Sequence, residues 1–275
     1  MAVARPHRAA NDSSAEGVLS RREQVPDGKG KTSMTTFVLV AGEWHGAWCW
    51  YKVTPLLEAA GHTVVTVELP SMGRDPTPIS EVSLAVWRDH VLGIVDAQPV
   101  RRMVLVGHSR AGVVISAVAE QRPERIETLV YVAAFLLSDG ESCNDQAAHD
   151  TTALTRSIRP SADGAALVVA DEGIRAAFYG ECSDEDVALA RTCLRPEAAV
   201  VLGTAVTVSD ARFGSVPRDY VECLRDDALS LASQRRMQAA QPCRRTISLD
   251  TDHSPFFSAP HQLVEFLSSA DTENP

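Results

Sequence analysis

Short runs of apolar residues alternate with longer segments of helical spacing from about residue 35 onward. The apolar runs have the length and composition of strands that are buried on both faces of a sheet. They cover residues 35–41, 62–69, 101–107, 127–135, 218–224 and 244–250. The segments with helical spacing cover residues 47–61, 84–98, 110–122, 184–194, 231–240 and 260–270. This alternation predicts an α/β fold with a mostly parallel central sheet and helices on both of its faces.

Two segments do not follow this alternation. Residues 136–215 are rich in Asp, Glu, Ala and Arg and contain only short helical fragments. They predict a helical insertion that caps the carboxyl edge of the sheet. Residues 1–33 show no periodicity and have the composition of a disordered extension. We therefore expect one domain over residues 34–275, with a cap insertion at about 136–215.

The sequence VLVGHSRAG, residues 104–112, places a serine between a strand and a helix. A serine on such a tight turn projects its hydroxyl toward the helix N-terminus, where free N–H groups and the helix dipole favour negative charge. One position departs from the G-x-S-x-G pattern: the pattern requires glycine at position 111, where this chain has Ala111, and the glycine follows as Gly112. Since ligands of parallel sheets bind at the carboxyl ends of the strands, we expect Ser109 to be a nucleophile.

A serine nucleophile needs a base, and the base needs an acid that orients it. His253 follows the last predicted strand and is expected to be the base. Two other histidines after the serine are placed less well, since His149 lies in the predicted cap and His261 in the final helix.

The expected acid is Asp226, the first carboxylate after the predicted strand at residues 218–224. Asp227 beside it and Asp139, which follows the strand at residues 127–135, remain alternatives. Two further carboxylates are too close to the histidine in sequence to orient its ring easily; they are Asp250 and Asp252.

Acyl transfer also requires two N–H donors that face the developing oxyanion. Arg110, directly after the serine, is expected to supply one, and Glu43 in the loop AGEWHG is expected to supply the other. Several aromatic and histidine side chains are candidates to line an apolar substrate pocket, although each would also fit a buried core position. They are Trp44, His45, Trp87, Phe135, Phe178, Tyr179 and Phe256.

The segment over residues 37–73, together with VLVGHSRAG, YVECLRDDAL and DHSPFF, resembles one branch of the α/β-hydrolases. This branch includes plant methyl esterases and hydroxynitrile lyases, with bacterial esterase-like relatives. The resemblance covers nearly the whole chain from residue 34 and implies the α/β-hydrolase fold. It also implies the same catalytic and oxyanion-hole positions, which are Ser109, Asp226, His253, Glu43 and Arg110.

Two positions depart from that family. Cyanide-eliminating members have a lysine directly after the catalytic histidine, whereas this chain has Ser254, so we do not expect hydroxynitrile lyase activity. The residue of the oxyanion loop is commonly small or apolar, whereas this chain has Glu43. Because a carboxylate beside an oxyanion would oppose catalysis, we hypothesise an ion pair between Glu43 and Arg110.

Composition restricts the partners. A formal net charge of −10 and a pI of about 5.3 disfavour nucleic acid and anionic membranes as partners. No apolar run is long enough to span a bilayer, and the N-terminal segment lacks the apolar core of a secretory signal. The six cysteines lack zinc-ligand spacing and predict reduced thiols in a cytoplasmic enzyme. We expect a small-molecule substrate and neither a metal nor a cofactor, while the oligomeric state stays open.

These features predict a serine esterase that cleaves a carboxylic ester or lactone of a small apolar substrate through an acyl-enzyme on Ser109. An alternative is a lyase or cyclase of specialised metabolism, in which His253 acts as a base on the substrate without an acyl-enzyme. A third reading is a non-catalytic ligand-binding protein with the same fold.

Removal of residues 1–33 is expected to leave activity and melting temperature unchanged, because this segment lacks the apolar content to pack on a domain. The comparison is between the full chain and a chain that starts at Met34, with thermal unfolding and esterase turnover as readouts. A clear loss of stability in the shorter chain would contradict this expectation.

Overall fold

Nine strands occur in the computed structural model, which describes residues 34–269. They are β1 (Thr36–Val40), β2 (Thr63–Val67), β3 (Met103–His108), β4 (Ile126–Val132), β5 (Ile158–Pro160), β6 (Ala166–Val169), β7 (Glu197–Ala198), β8 (Arg218–Cys223) and β9 (Arg245–Leu249). Six of them form a parallel sheet in the order β2-β1-β3-β4-β8-β9. The predicted α/β class and parallel sheet are therefore confirmed, while the predicted extension over residues 1–33 lies outside the described residues.

Eleven α-helices accompany these strands within the described residues. They are α1 (Val53–Ala59), α2 (Leu84–Ala97), α3 (Ala111–Gln121), α4 (Cys143–Ala147), α5 (Ala153–Ser157), α6 (Asp171–Phe178), α7 (Asp184–Cys193), α8 (Ala199–Leu202), α9 (Leu231–Ala240), α10 (Pro255–Ser258) and α11 (Pro260–Ser268). None of these helices has both the length and the apolar character needed to cross a membrane.

The helix predicted over residues 47–61 is divided into a 3-10 turn (Ala47–Trp50) and α1. Pro55 explains the division, because its ring would clash with the carbonyl of the residue four positions earlier in a continuous α-helix. Gly61 ends α1 as expected, since its φ of 92° lies in the left-handed region where glycine closes helices.

The two faces of the sheet carry separate parts of the core, because side chains alternate along each strand. In β1, Val38 faces one apolar cluster and Leu39 faces the other. Helices α2 and α3 cover the first face, whereas α1 and α11 cover the second. The central strands are buried on both faces, which is why they are continuous apolar runs in the sequence.

Helices α4 to α8 and a three-stranded antiparallel sheet, β5-β6-β7, lie in the chain between β4 and β8. The segment was predicted to be a helical insertion, and it contains this small sheet in addition to its helices. Its strands have two to four residues, too few for a periodic pattern to show in the sequence. Lys52 Nζ lies 2.7 Å from an Asp186 carboxylate oxygen, and the indole N–H of Trp44 donates to the carbonyl of Leu167 at 2.9 Å. These contacts attach the segment to the loops beside the carboxyl edge of the parallel sheet.

Helix α3 passes so close to the segment after β4 that a Cβ atom on Gly112 would lie 2.3 Å from the carbonyl oxygen of Phe135. We expect Gly112→Ala to lower the melting temperature and the activity, because the backbone must move to relieve this overlap. The matched control is Gly93→Ala in α2, where an added Cβ meets no atom within 4 Å. Alanine is favoured over glycine inside helices by about 0.5–1 kcal/mol, so this control should be slightly stabilised. Equal effects of the two substitutions on thermal unfolding would contradict the close approach.

Candidate active site

Ser109 lies directly after β3 and has a φ of 55°, a left-handed conformation that non-glycine residues adopt only when their surroundings impose it. Its N–H donates to the carbonyl of Val132 at 3.1 Å. Its own carbonyl accepts from the N–H groups of Phe135 and Gly112, both at 3.0 Å. These bonds to β4, the segment after it and α3 fix the turn and direct the side chain toward a cavity of about 320 Å³ that Ser109 lines.

His253 and Asp226 form a buried hydrogen-bonded pair in the loops after β9 and β8. His253 Nδ1 lies 2.8 Å from Asp226 Oδ2. Because the carboxylate accepts this bond, the proton lies on Nδ1 and Nε2 of the neutral ring is free to act as a base. Burial by itself lowers the pKa of His253, but the charge and hydrogen bond of Asp226 outweigh it and raise the pKa above its ordinary value.

Backbone and side-chain donors hold the Asp226 carboxylate in place. Oδ1 accepts from the N–H groups of Ala228 and Leu229, each at 2.8 Å, and Oδ2 accepts from Gln234 Nε2 at 3.0 Å. His253 is anchored as well, since its carbonyl accepts from His108 Nε2 at 2.8 Å. The histidine is thereby attached to the residue that immediately precedes Ser109.

The alternative acids are engaged elsewhere. Asp227 accepts from the N–H of Ala153, and Asp139 accepts from the N–H of Val208. Asp250 pairs with Arg225. Asp252 accepts from the N–H groups of Glu181 and Ser254, so it connects the segment between β4 and β8 to the loop that carries His253. Among the five candidates, the structure brings Asp226 to the imidazole.

The loop after β1 approaches the serine closely. A Cβ atom on Gly42 would lie 2.7 Å from the Cβ of Ser109, so only glycine allows this approach. Glu43, the next residue, lines the same cavity as Ser109. Neither the N–H of Glu43 nor that of Arg110 donates to another group within residues 34–269. Both N–H groups are therefore without an acceptor in that range.

The hypothesised ion pair between Glu43 and Arg110 is wrong. Arg110 points away from the cavity into the protein, where its Nε lies 3.1 Å from an oxygen of Glu197 and both side chains are fully buried. Its guanidinium also lies over the ring of Trp87, 4.0 Å from the centroid. Arg110 therefore has a better partner, a carboxylate from β7 that the sequence gives no reason to place near the serine.

The Glu43 side chain is 6% exposed and contributes to the wall of the cavity. Its carboxyl makes no hydrogen bond or ion pair within residues 34–269. Burial, followed by the negative charge of Glu197, raises its pKa to about 8, against the smaller opposing effect of Arg110. Glu43 is thus a neutral acid near pH 7, which removes the conflict between a carboxylate and an oxyanion without the expected ion pair.

Of the seven side chains considered for the substrate pocket, only Phe135 lines the cavity at Ser109. Four of the others form a cluster of aromatic contacts in which Phe178 reaches the ring of His253; they are His45, Phe178, Tyr179 and Phe256. His45 has a structural role, since its Nδ1 donates to the carbonyl of Glu43 and its Nε2 accepts from the Tyr179 hydroxyl, both at 2.5 Å. Trp44 and Trp87 anchor the segments on which Glu43 and Arg110 lie.

Most of the cavity wall comes from residues between β4 and β8 that the sequence did not single out. These residues include Cys143, Asn144, Ala147, Asp150, Leu154, Thr155, Ile158, Leu167 and Leu202. Except for Asp150, they lie in short helices and strands whose spacing carries no signal of a site. The six cysteines are unpaired, and no group of three or more His, Cys, Asp or Glu side chains in the described part of the chain is arranged to hold a metal ion.

A family model described as the alpha/beta hydrolase family matches residues 37–266, and the chain belongs to this family. It is similar to methylesterase 1 of Arabidopsis thaliana, with 32% identity over 252 residues that cover 86% of this chain and 95% of the relative. Methyl jasmonate esterase 1 of Vitis vinifera is 30% identical over 246 residues, covering 84% and 94% of the two chains. The solved structure of polyneuridine aldehyde esterase has a TM-score of 0.79 at 26% identity, covering 86% of this chain and 98% of that chain. The resemblance to the methyl esterase branch is confirmed.

Glu43→Gln is expected to be more stable than the wild type by a margin that grows as the pH rises. The unfolded chain loses the Glu43 proton near pH 4.5, whereas the folded chain keeps it up to about pH 8. Wild-type stability therefore falls through this window, by on the order of 1.4 kcal/mol for each unit of pKa shift at most. Urea unfolding from about pH 5 to about pH 8 measures the margin. The exposed Glu58→Gln in α1 is the control, and equal pH dependence in both variants would show that Glu43 is ionised in the folded protein.

Proposed function

We propose that the protein is a carboxylic ester hydrolase that forms an acyl-enzyme on Ser109. The observation that carries this proposal is the serine on a left-handed turn at the cavity, with the buried His253–Asp226 pair anchored to the residue before it. Membership of the alpha/beta hydrolase family and similarity to plant methylesterases support the same reaction class.

The mechanism assigns one role to each group. His253 Nε2 removes the proton of Ser109 as its oxygen attacks the ester carbonyl, and Asp226 stabilises the imidazolium that forms. The N–H groups of Glu43 and Arg110 donate to the oxyanion. His253 then protonates the leaving alcohol, and water attacks the acyl-enzyme with the same histidine as base. This series of steps requires that Ser109 is protonated and His253 is neutral before the reaction begins.

The cavity favours a small apolar acyl group. Its volume of about 320 Å³ is at the small end of the range for ligand pockets. Its wall is largely aliphatic and aromatic, with Phe135, Leu154, Leu202 and Leu229 among the lining residues. We propose methyl esters or small lactones as substrates, since the named relatives include methylesterases and the cavity offers little room for a bulky alcohol.

The neutral Glu43 carboxyl supports a second candidate, a lyase or cyclase. A protonated acid beside the serine can donate a proton or a hydrogen bond to a substrate carbonyl while His253 removes a carbon-bound proton. Such a reaction forms no acyl-enzyme. Rapid quench of the enzyme during turnover, followed by intact-protein mass spectrometry, distinguishes the two, because the hydrolase alone adds the mass of the acyl group at Ser109.

Ser109→Ala and His253→Ala are each expected to reduce the hydrolysis of short-chain aryl and methyl esters by several orders of magnitude, because triad members act as a unit. The matched controls are Ser116→Ala, a buried serine of α3 outside the cavity, and His149→Ala, an exposed histidine. Both controls should keep nearly full turnover. Retention of more than about a tenth of wild-type turnover by either site variant would overturn the serine mechanism.

A further inference from the structure

One buried carboxylate contacts Arg110, one of the two residues assigned to the oxyanion hole, and Trp44, the residue that follows the other. Glu197 in β7 is 0% exposed, and its Oε1 lies 3.1 Å from Arg110 Nε. Its Oε2 accepts from the N–H of Trp44 at 3.1 Å and lies 3.5 Å from Arg110 Nη2. Arg110 directly follows Ser109, and Trp44 directly follows Glu43. Glu197 therefore joins the nucleophile turn to the loop after β1.

Arg110 extends this connection to the peptide group that carries the N–H of Glu43. Its Nη2 donates to the carbonyl of Gly42 at 3.1 Å. That carbonyl and the N–H of Glu43 belong to the same planar peptide group and point in opposite directions. The contact with Arg110, together with a longer bond from the N–H of His45 to the same carbonyl at 3.3 Å, thus sets the direction of the Glu43 N–H. Glu197 holds Arg110 in the orientation that makes its contact.

Trp44 requires such anchoring because its φ is 60°, an unfavourable conformation for a bulky side chain. Residues between β4 and β8 supply three bonds to it. Glu197 accepts from its N–H, Leu167 accepts from its indole at 2.9 Å, and the N–H of Arg195 donates to its carbonyl at 3.0 Å. The loop that carries Glu43 is therefore shaped by this segment.

We propose that Glu197 is a positioning residue that fixes both donors of the oxyanion hole through Arg110 and Trp44. The inference rests on the proposed function, since it presupposes that Glu43 and Arg110 stabilise an oxyanion. It assigns Glu197 no contact with the substrate, because Glu197 does not line the cavity.

The same carboxylate affects the protonation of Glu43. The ionisable groups that act on Glu43 are Glu197 from β7, Arg110 after β3, His253 after β9 and the neighbouring thiol Cys143 at the start of α4. Glu197 raises the pKa of Glu43, while Arg110 and His253 lower it. Loss of the Glu197 charge should therefore lower the pKa of Glu43 and move the alkaline decline of activity to lower pH.

The first test is Glu197→Gln, assayed with p-nitrophenyl acetate over a range of pH. We expect kcat to fall by roughly ten- to a hundredfold, less than the full loss of an oxyanion donor, with KM changed by less than about twofold. The alkaline limb of kcat/KM should move to lower pH. A trifluoromethyl ketone, which forms a tetrahedral adduct with serine, should lose affinity in parallel with kcat.

A second variant removes the unpaired charge that Glu197→Gln leaves on Arg110, since a lone buried cation can prevent folding. In Glu197→Gln with Arg110→Gln, kcat should stay low because the Gly42 carbonyl loses the Arg110 donor and keeps only the longer bond from the N–H of His45 at 3.3 Å. The alkaline limb should return toward its wild-type position, because the two opposing charges are both absent. The matched control is Asp186→Asn, which breaks another contact between the same segment and the rest of the domain, the partly buried 2.7 Å pair with Lys52. It should change neither kcat nor the pH profile.

The outcomes separate this inference from the proposed function. Wild-type kcat in the double variant, or equal losses in Asp186→Asn, would overturn the positioning role even if an acyl-enzyme is trapped on Ser109. Failure of wild-type enzyme to form that acyl-enzyme would overturn the proposed function instead. Both proposals are supported if the wild-type enzyme acylates Ser109, if kcat falls in Glu197→Gln but not in Asp186→Asn, and if the alkaline limb of kcat/KM shifts as expected in the Glu197 variants.

Discussion

The backbone of Ser109 is held in a left-handed conformation by β4, by the segment after it and by the first turn of α3, and the site is arranged around that turn. Because the turn is sharp, α3 starts against the segment that follows β4 and leaves no room for a side chain on Gly112. The loop after β1 must approach the serine just as closely, which requires Gly42. The strained backbone of Ser109 is therefore stabilised by surroundings that pack closely around Gly112 and Gly42.

The same close packing around Ser109 accounts for the pair of buried charges formed by Arg110 and Glu197. Arg110 has to leave the turn on the side away from the cavity, and a guanidinium buried without a counter-charge would destabilise the fold strongly. Glu197 supplies that charge, although desolvation of both groups offsets much of their attraction. The pair therefore contributes more to geometry than to stability. Burial raises the pKa of Glu43, and the negative charge of Glu197 adds to this effect, so an acidic residue is tolerated in the wall of the cavity beside Ser109.

The sequence predicted the parallel sheet and the sharp turn at Ser109, and it placed Asp226 and His253 after strands that bring the two into contact, because each of these features depends on a local signal. A continuous apolar run marks a buried strand, and Gly, His and Ser at its end mark the turn. The partner of Arg110 could not be predicted from the sequence, because Glu197 is 87 positions away in a two-residue strand. The cavity wall was also missed, because much of it is formed by helices of four or five residues and by short strands whose placement depends on tertiary contacts.

The connection among Glu43, Arg110 and Glu197 limits how this protein can evolve. Replacement of Arg110 by an apolar residue leaves Glu197 charged in a dry interior, and replacement of Glu197 leaves Arg110 in the same state. Each single step passes through a less stable intermediate, so the two positions are epistatic and should be exchanged together. Glu43 is coupled to this pair, since the charge of Glu197 adds to the effect of burial in raising its pKa. An apolar residue at position 43 would remove the buried carboxyl, but the Gly42 carbonyl and the N–H of Trp44 would keep their contacts with Arg110 and Glu197, so this pair is expected to persist whichever side chain occupies position 43.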